Sequence, residues 1–323
     1  TSPELEETVW QAAEELGIRM VLCRGSATET GSHEGMIKHR IKPETVDQII
    51  ERLDITRKKH HQTGRDAMKK LVVAPTSLIH SSSPDSLKAQ AAWARSNGLK
   101  MHSHLLEVTF DETQARQKYG QSAIDYAESC GWLGEDVWYA HLVHSDAHTI
   151  ERLAATKTGI AHCPTSNCRL GSGIAPVIRM SEAGVPVSLG VDGSASAESG
   201  SMLQELNLAW LIHRAKNGPD ATTLEQVLEW GSQSGADILG LENTGSLAIG
   251  KAADLVLYDI DKPRFAGVHV PLMSPLMCGE PVHVRDSFIQ GKRIVSDGCV
   301  VGLDESELTR NVRNSVAALL ESA

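Results

Sequence analysis

The chain has 323 residues, 41% hydrophobic and 22% charged, ordinary for a soluble globular protein and long enough for one large α/β domain with a smaller appendage. A formal charge of −10 and 4% aromatic content argue against nucleic acid or an acidic membrane surface as a partner. No run of about 18 apolar residues and no signal peptide occur, and Cys23, Cys130, Cys163, Cys168, Cys278 and Cys299 lack disulfide-framework or C-x-x-C spacing, which favours a reducing cytoplasm.

The chain opens on TSPELEETVWQAAEELGIRMVLCRG, where Ser2 can cap a helix that has Pro3 at its first position and acids in its first turn. Short apolar runs that read as buried parallel strands follow at 19–23, 71–75, 99–104, 137–141, 159–163 and 185–192. Amphipathic segments near 43–68, 84–97, 111–129, 147–156 and 174–183 separate them, and 199–216 and 222–238 come after the last. Strand, crossover helix and parallel strand in repetition predict a wound α/β domain. Arg24, Ser77, His104, His141, His162 and Asp192 fall where these strands end. Both a TIM barrel and a doubly wound sheet place their chemistry there. Six strands are visible where a closed barrel has eight, and the abrupt helical start suggests that two precede residue 1. From about residue 245 the texture changes. NTGSLAIGKAADLVLYD sets glycine turns around a strand, VRDSFIQGKRIVSDG reads as a hairpin turning at Gly291, and DESELTRNVRNSVAALLESA predicts a terminal amphipathic helix.

The chemistry gathers in four elements, HSHLLE, YAHLVH, AHCPTSN and LGVDGSAS. In MHSHLLE, His102 and His104 project to one face of a strand and could chelate a metal or simply fill space. A lone strand histidine is more often packed than functional. Three histidines and an aspartate at successive strand ends are harder to explain as filling, because buried ionisable groups cost several kcal/mol unless paired or metal-bound. Cys163 and Cys168 are spaced C-x₄-C, so the His/Cys/Cys zinc deaminase pattern, with its H-x-E and P-C-x-x-C, is absent. No phosphate loop is present either. Gly171 and Gly173 read as residues that permit tight backbone near a pocket.

The order H-x-x-E, A-H, H-C-P-x-S-N and G-x-D-G, closed by SLAIGKAADLVLYD, resembles the amidohydrolase superfamily in its metal-dependent deaminase and chlorohydrolase branch. Within that branch, RGS at 24–26, HCPTSNCRLGSGIAP at 162–176 and SLGVDGSASAESG at 188–200 look like isoxanthopterin and 8-oxoguanine deaminases, and VVAPTSLIHSSSP with WYAHLVH leans to the former. The resemblance implies an α/β fold, a TIM (β/α)8 barrel with a small β-sandwich. Residues 1–244 would carry barrel strands three to eight with their helices, and 245–323 the C-terminal half of the sandwich plus the terminal helix. The first two barrel strands, with the H-x-H that supplies two metal ligands, would lie outside the chain. MHSHLLE then matches the fifth-strand motif, with His104 as a metal ligand, Glu107 as the acid and His102 as a structural residue one step deeper.

The implied reaction is hydrolytic release of ammonia from an amino-substituted bicyclic heterocycle, a pterin or purine, by a hydrolase of carbon–nitrogen bonds in cyclic amidines. The cofactor is one divalent ion, zinc in the first place with iron as the other choice, which activates water. Asp192 would contact the metal and take the water proton. Glu107 would protonate the ring nitrogen, and His141 would orient the attacking oxygen. Arg24 is the candidate for a ring carbonyl or enolate, against a surface salt bridge. His162 and Asn167 are candidate pocket residues, against structural roles, and His144 and His148 read as loop histidines. A metal held by His104 and Asp192 alone would be weakly bound. The other readings are a triazine-type chlorohydrolase and a non-catalytic amidohydrolase-like scaffold. Expected partners are a small heterocyclic substrate and further copies of the chain, as a dimer or larger, with no nucleic acid and no membrane.

Overall fold

The computed structural model describes residues 2–30, 42–279 and 281–322. Thr1, which precedes the predicted first helix, and Ala323, included in the predicted terminal helix, lie outside the described residues. Six parallel strands among the described residues form one sheet: β1 (Met20–Ser26), β2 (Lys69–Pro75), β3 (Lys100–Leu105), β4 (Val137–His141), β5 (Gly159–His162) and β6 (Val187–Leu189). Their spatial order equals their chain order. A doubly wound sheet reverses its order at a switch point, whereas a TIM-type barrel winds on in one direction. This sheet winds on.

The helices start where capping chemistry tells them to. Ser2 accepts from the Leu5 N–H ahead of Pro3–Leu16, and Gly17 ends that helix at φ 69°. Thr45 and Gln48 form a reciprocal capping box on Val46–His60, and Ser83 caps Pro84–Ser96 with Pro84 at its first position. Two predicted segments divide. The 111–129 stretch becomes Thr109–Tyr119 and Ala123–Ser129, because Gly120 takes φ 68° between them. The 222–238 stretch becomes Leu224–Trp230 and Gln233–Leu239, broken at Gly231, where a Cβ would stand 2.7 Å from the Leu206 side chain. β6 is shorter than predicted, since the chain leaves the sheet at Gly190 and turns at Asp192 with φ 63°.

Strand register sorts the side chains onto two faces. Leu71, Val73, Met101, Tyr139 and Ile160 pack on the helix side with Ile49, Leu53, Leu87 and Ala91. Each fully buried aliphatic side chain there contributes roughly 1.5–3 kcal/mol. Val72, His102, His104, Trp138 and Ala161 share the opposite, inner face. At the beginning of the strands that face is plugged by Val72, Trp138 and Ile238, with Val21, Ala161 and Leu239 against them. Gly159 makes room for the plug, because a Cβ there would lie 3.1 Å from Ile238. His102 is level with Trp138 and stacks on it, and His104 lies further toward the strand ends.

A second, antiparallel sheet runs in the order β10-β9-β8-β7, from β7 (Leu255–Asp259), β8 (His283–Ile289), β9 (Lys292–Ser296) and β10 (Cys299–Val300). Gln290 and Gly291, at φ 49° and 74°, make the β8–β9 hairpin turn. The Arg19 guanidinium, just before β1, pairs with Asp254, just before β7, and Asp254 also accepts from the Gln290 N–H at 2.8 Å. The terminal helix Glu305–Ser322 is solvent-exposed as far as residue 321. No helix among the described residues is long and apolar enough to cross a membrane.

Candidate active site

Three strand ends deliver the candidate residues to one place. His104, near the end of β3, has Nδ1 3.2 Å from the Thr76 carbonyl. A carbonyl only accepts, so Nδ1 carries the hydrogen and Nε2 keeps a lone pair. The ring edge is open to solvent, yet the packing around it and neighbouring His141 push its pKa down, which keeps the imidazole neutral and able to ligate. His141 ends β4 and stacks on His104 with ring centroids 5.5 Å apart. It is buried, with Nδ1 2.9 Å from Asn167 Oδ1 and Nε2 3.6 Å from Glu107 Oε2. Asp192 follows β6 and accepts from Ser166 Oγ at 2.5 Å and Ser196 Oγ at 3.1 Å, both through Oδ2. Burial alone would raise its pKa, but the bonds from Ser166 and the Gly193 N–H, with His141 close by, outweigh that and hold it below the usual carboxylate range.

Backbone strain is concentrated here. Leu106 (φ 53°), His141 (φ 74°), Leu142 (φ 47°) and Asp192 (φ 63°) all occupy the left-handed region, each at a cost of about 1–3 kcal/mol. For His141 the consequence is visible in the register. Its strand partner Leu105 points into the helix-side core, while the positive φ swings the imidazole onto His104. Glu107 is pinned by its loop: its N–H donates to Asp111 Oδ2 at 3.0 Å, and Asp111 Oδ1 lies 2.8 Å from His80 Nε2.

One ligand atom from each of His104, His141 and Asp192 lies within 4.8 Å of the others. Two imidazole nitrogens and a carboxylate oxygen, each side chain held by a hydrogen bond, are a donor set that fits zinc or iron. His102 stands apart from this group. Its Nδ1 donates to the Trp138 carbonyl at 3.2 Å, its ring stacks on Trp138, and burial pushes its pKa down to about 3.

Residues 3–294 match the amidohydrolase family. The chain belongs to the amidohydrolase family. It is 41% identical to an isoxanthopterin deaminase from an unknown prokaryotic organism, over 97% of this chain and 68% of that protein. It is 37% identical to an 8-oxoguanine deaminase from Pseudomonas aeruginosa, over 95% of this chain and 68% of the relative. Among solved structures, an atrazine chlorohydrolase from Arthrobacter aurescens complexed with zinc superposes with a TM-score of 0.87 at 27% identity, covering 96% of this chain and 68% of the other.

Two residues predicted to touch substrate in this amidohydrolase are placed elsewhere. Arg24 pairs in register with Val73 and so faces the helix side, opposite His104. There its guanidinium binds Glu44 at 2.7 Å and the Gly25 carbonyl at 3.1 Å, beside a cavity between helices Pro3–Leu16 and Val46–His60. Arg24 is buried and Glu44 half-buried, so this pair is not the surface salt bridge expected as the alternative. His162 also turns to the helix side, with Nε2 3.0 Å from His213 Nε2, and it is 1% exposed. Asn167 bonds His141. The sequence reading missed Ser166, Ser196 and Glu205. The signal for Glu205 was an acid inside the apolar run MLQELNLAWLI; it is buried and its Oε2 accepts the Thr165 N–H at 3.0 Å.

The His162–His213 pair predicts a pH dependence of stability. Burial pushes His213 down to about 4 and, with His213 beside it, also depresses His162. In the unfolded chain both titrate near 6.5, so the unfolded state takes up protons first as pH falls. The stability contributed is complete above about 6.5 and lost as pH falls toward about 4. Urea unfolding should show a loss of about 3 kcal/mol from His213 alone across that window, with His162 adding to it, and H213F should reduce the dependence to what His162 contributes. A wild-type midpoint unchanged between pH 7 and 4.5 would refute this.

Proposed function

We propose that this amidohydrolase is a metal-dependent hydrolytic deaminase that releases ammonia from an amino-substituted bicyclic heterocycle, a pterin such as isoxanthopterin or a purine such as 8-oxoguanine. The observation that carries the reading is the meeting of His104, His141, Asp192 and Glu107 at the ends of β3, β4 and β6. The names of the two deaminases above support the substrate class.

His104 and Asp192 would hold the ion, with a His141 ring nitrogen in reach. A divalent ion bound there, zinc in our reading, would supply Lewis acidity that lowers the pKa of water. Asp192 takes a proton from the attacking water, and its Oδ1, free of the two serine bonds, is the receiving atom. Glu107 protonates the ring nitrogen beside the reacting carbon, making that carbon more electrophilic. His141 orients the attacking oxygen. As the carbon–nitrogen bond breaks, Asp192 gives its proton to departing ammonia, and the hydroxyl proton returns to Glu107 as the carbonyl forms. Protons and bonds balance.

The zinc-bound atrazine chlorohydrolase favours a second reading, hydrolytic dechlorination of a triazine by the same residues. Ammonia and chloride release should be measured with the full-length, metal-loaded protein on isoxanthopterin, 8-oxoguanine, guanine, cytosine and a chlorinated triazine. Ammonia from the first or second is expected. Chloride alone would favour dechlorination, and neither product from any compound would end both readings.

A further inference from the structure

Helix Pro164–Leu170 holds two site residues from neighbouring positions. Ser166 Oγ donates to Asp192 Oδ2 at 2.5 Å, and Asn167 Oδ1 lies 2.9 Å from His141 Nδ1. Resting on the deaminase reading above, we infer that Asn167 is a positioning residue, not a substrate contact. Its side-chain oxygen fixes which nitrogen of His141 carries the proton and which edge of the ring faces the reaction.

An amide oxygen only accepts, so the contact keeps a hydrogen on Nδ1. Both residues are 1% exposed, so no solvent competes for that hydrogen. Nε2 is then the ring atom left to serve the site, and it is the atom turned toward Glu107, at 3.6 Å. Without the acceptor the hydrogen could move to Nε2, or the ring could turn about its outer torsion and present a carbon edge. Folding gives no separate reason for an amide at 167. Its Nδ2 is buried without a hydrogen-bond partner among the described residues, so the side chain keeps an uncompensated donor while its oxygen holds His141.

The support for Asn167 is itself fixed. The Asn167 N–H donates to the Cys163 carbonyl at 3.0 Å, and the Thr165 N–H donates to buried Glu205 at 3.0 Å. Gly171 ends the helix in the left-handed region at φ 72°, with its N–H on the Asn167 and Cys168 carbonyls. One clamped turn therefore sets His141 and Asp192 relative to each other.

The test compares wild type with N167L, which keeps the shape and loses the acceptor, and N167D, which keeps an oxygen. Residues that orient a site residue in this way are worth roughly 10–100-fold in activity. N167L should lose that much kcat with KM little changed, and N167D should retain most of it. The readout independent of turnover is a long-range proton–nitrogen spectrum of the zinc-loaded, full-length protein, with the His141 signals assigned by their loss in H141Q. Wild type should carry its imidazole proton on Nδ1 and N167L should lose that signal. A wild-type proton on Nε2, an unchanged spectrum in N167L, or a raised KM with kcat intact would overturn the inference. If N167L does not fold, the wild-type and N167D spectra decide, the Nδ1 proton being required in both. A wild type that deaminates nothing but shows this spectrum would sink the deaminase reading alone.

Discussion

Asparagine in place of Asp192 should lower kcat for ammonia release by roughly 10³–10⁴-fold, the upper part of the range for positioned proton transfer. The substitution is nearly isosteric, and an amide oxygen can still accept from Ser166 and Ser196. What it removes is the negative charge and the ability to take a proton. The site spends hydrogen bonds to keep that carboxylate ionised: burial opposes the charge, while Ser166, the Gly193 N–H and His141 restore it. Asp192 is also one of the three residues whose ligand atoms converge within 4.8 Å. Steady-state ammonia release, zinc content and circular dichroism should be read on one preparation. A folded D192N retaining a tenth or more of wild-type kcat would remove Asp192 from the mechanism.

Glutamine at 107 should cost roughly 10²–10⁴-fold in kcat with a smaller change in KM. The loop that presents Glu107 is held through its main-chain N–H on Asp111, which a side-chain substitution does not touch. The amide would keep the shape and lose the proton that the proposed mechanism gives to the ring nitrogen. Because Glu107 Oε2 faces His141 Nε2 at 3.6 Å, D192N and E107Q combined should cost less than the sum of their separate effects, as residues of one unit do. Full additivity would mean that the two carboxylates serve independent steps.

The parts of this account that the sequence carried were those with strong local signals. Strand runs such as LVVAP and VWYAH, the caps at Ser2 and Ser83 and the Gly291 hairpin all follow from short-range chemistry. The convergence of His104, His141 and Asp192 followed from their position at strand ends. Which face a side chain takes was less legible. Arg24 and His162 stand at strand ends as His104 does, but a shift of one residue in a period of two sends a side chain to the other side of the sheet. His141 is the reverse case, where left-handed backbone overrides the alternation. Hydrogen-bond partners such as Asn167 with His141 join residues 26 apart, and no local pattern announces them.

If these side chains hold a metal that drives deamination, the most direct measurement is ammonia release from isoxanthopterin and 8-oxoguanine before and after chelation. Expected are stoichiometric ammonia from at least one of them with the zinc-loaded, full-length protein, loss of that activity on chelation and its return on adding zinc. Ammonia released at an undiminished rate by thoroughly chelated protein would contradict metal-driven deamination.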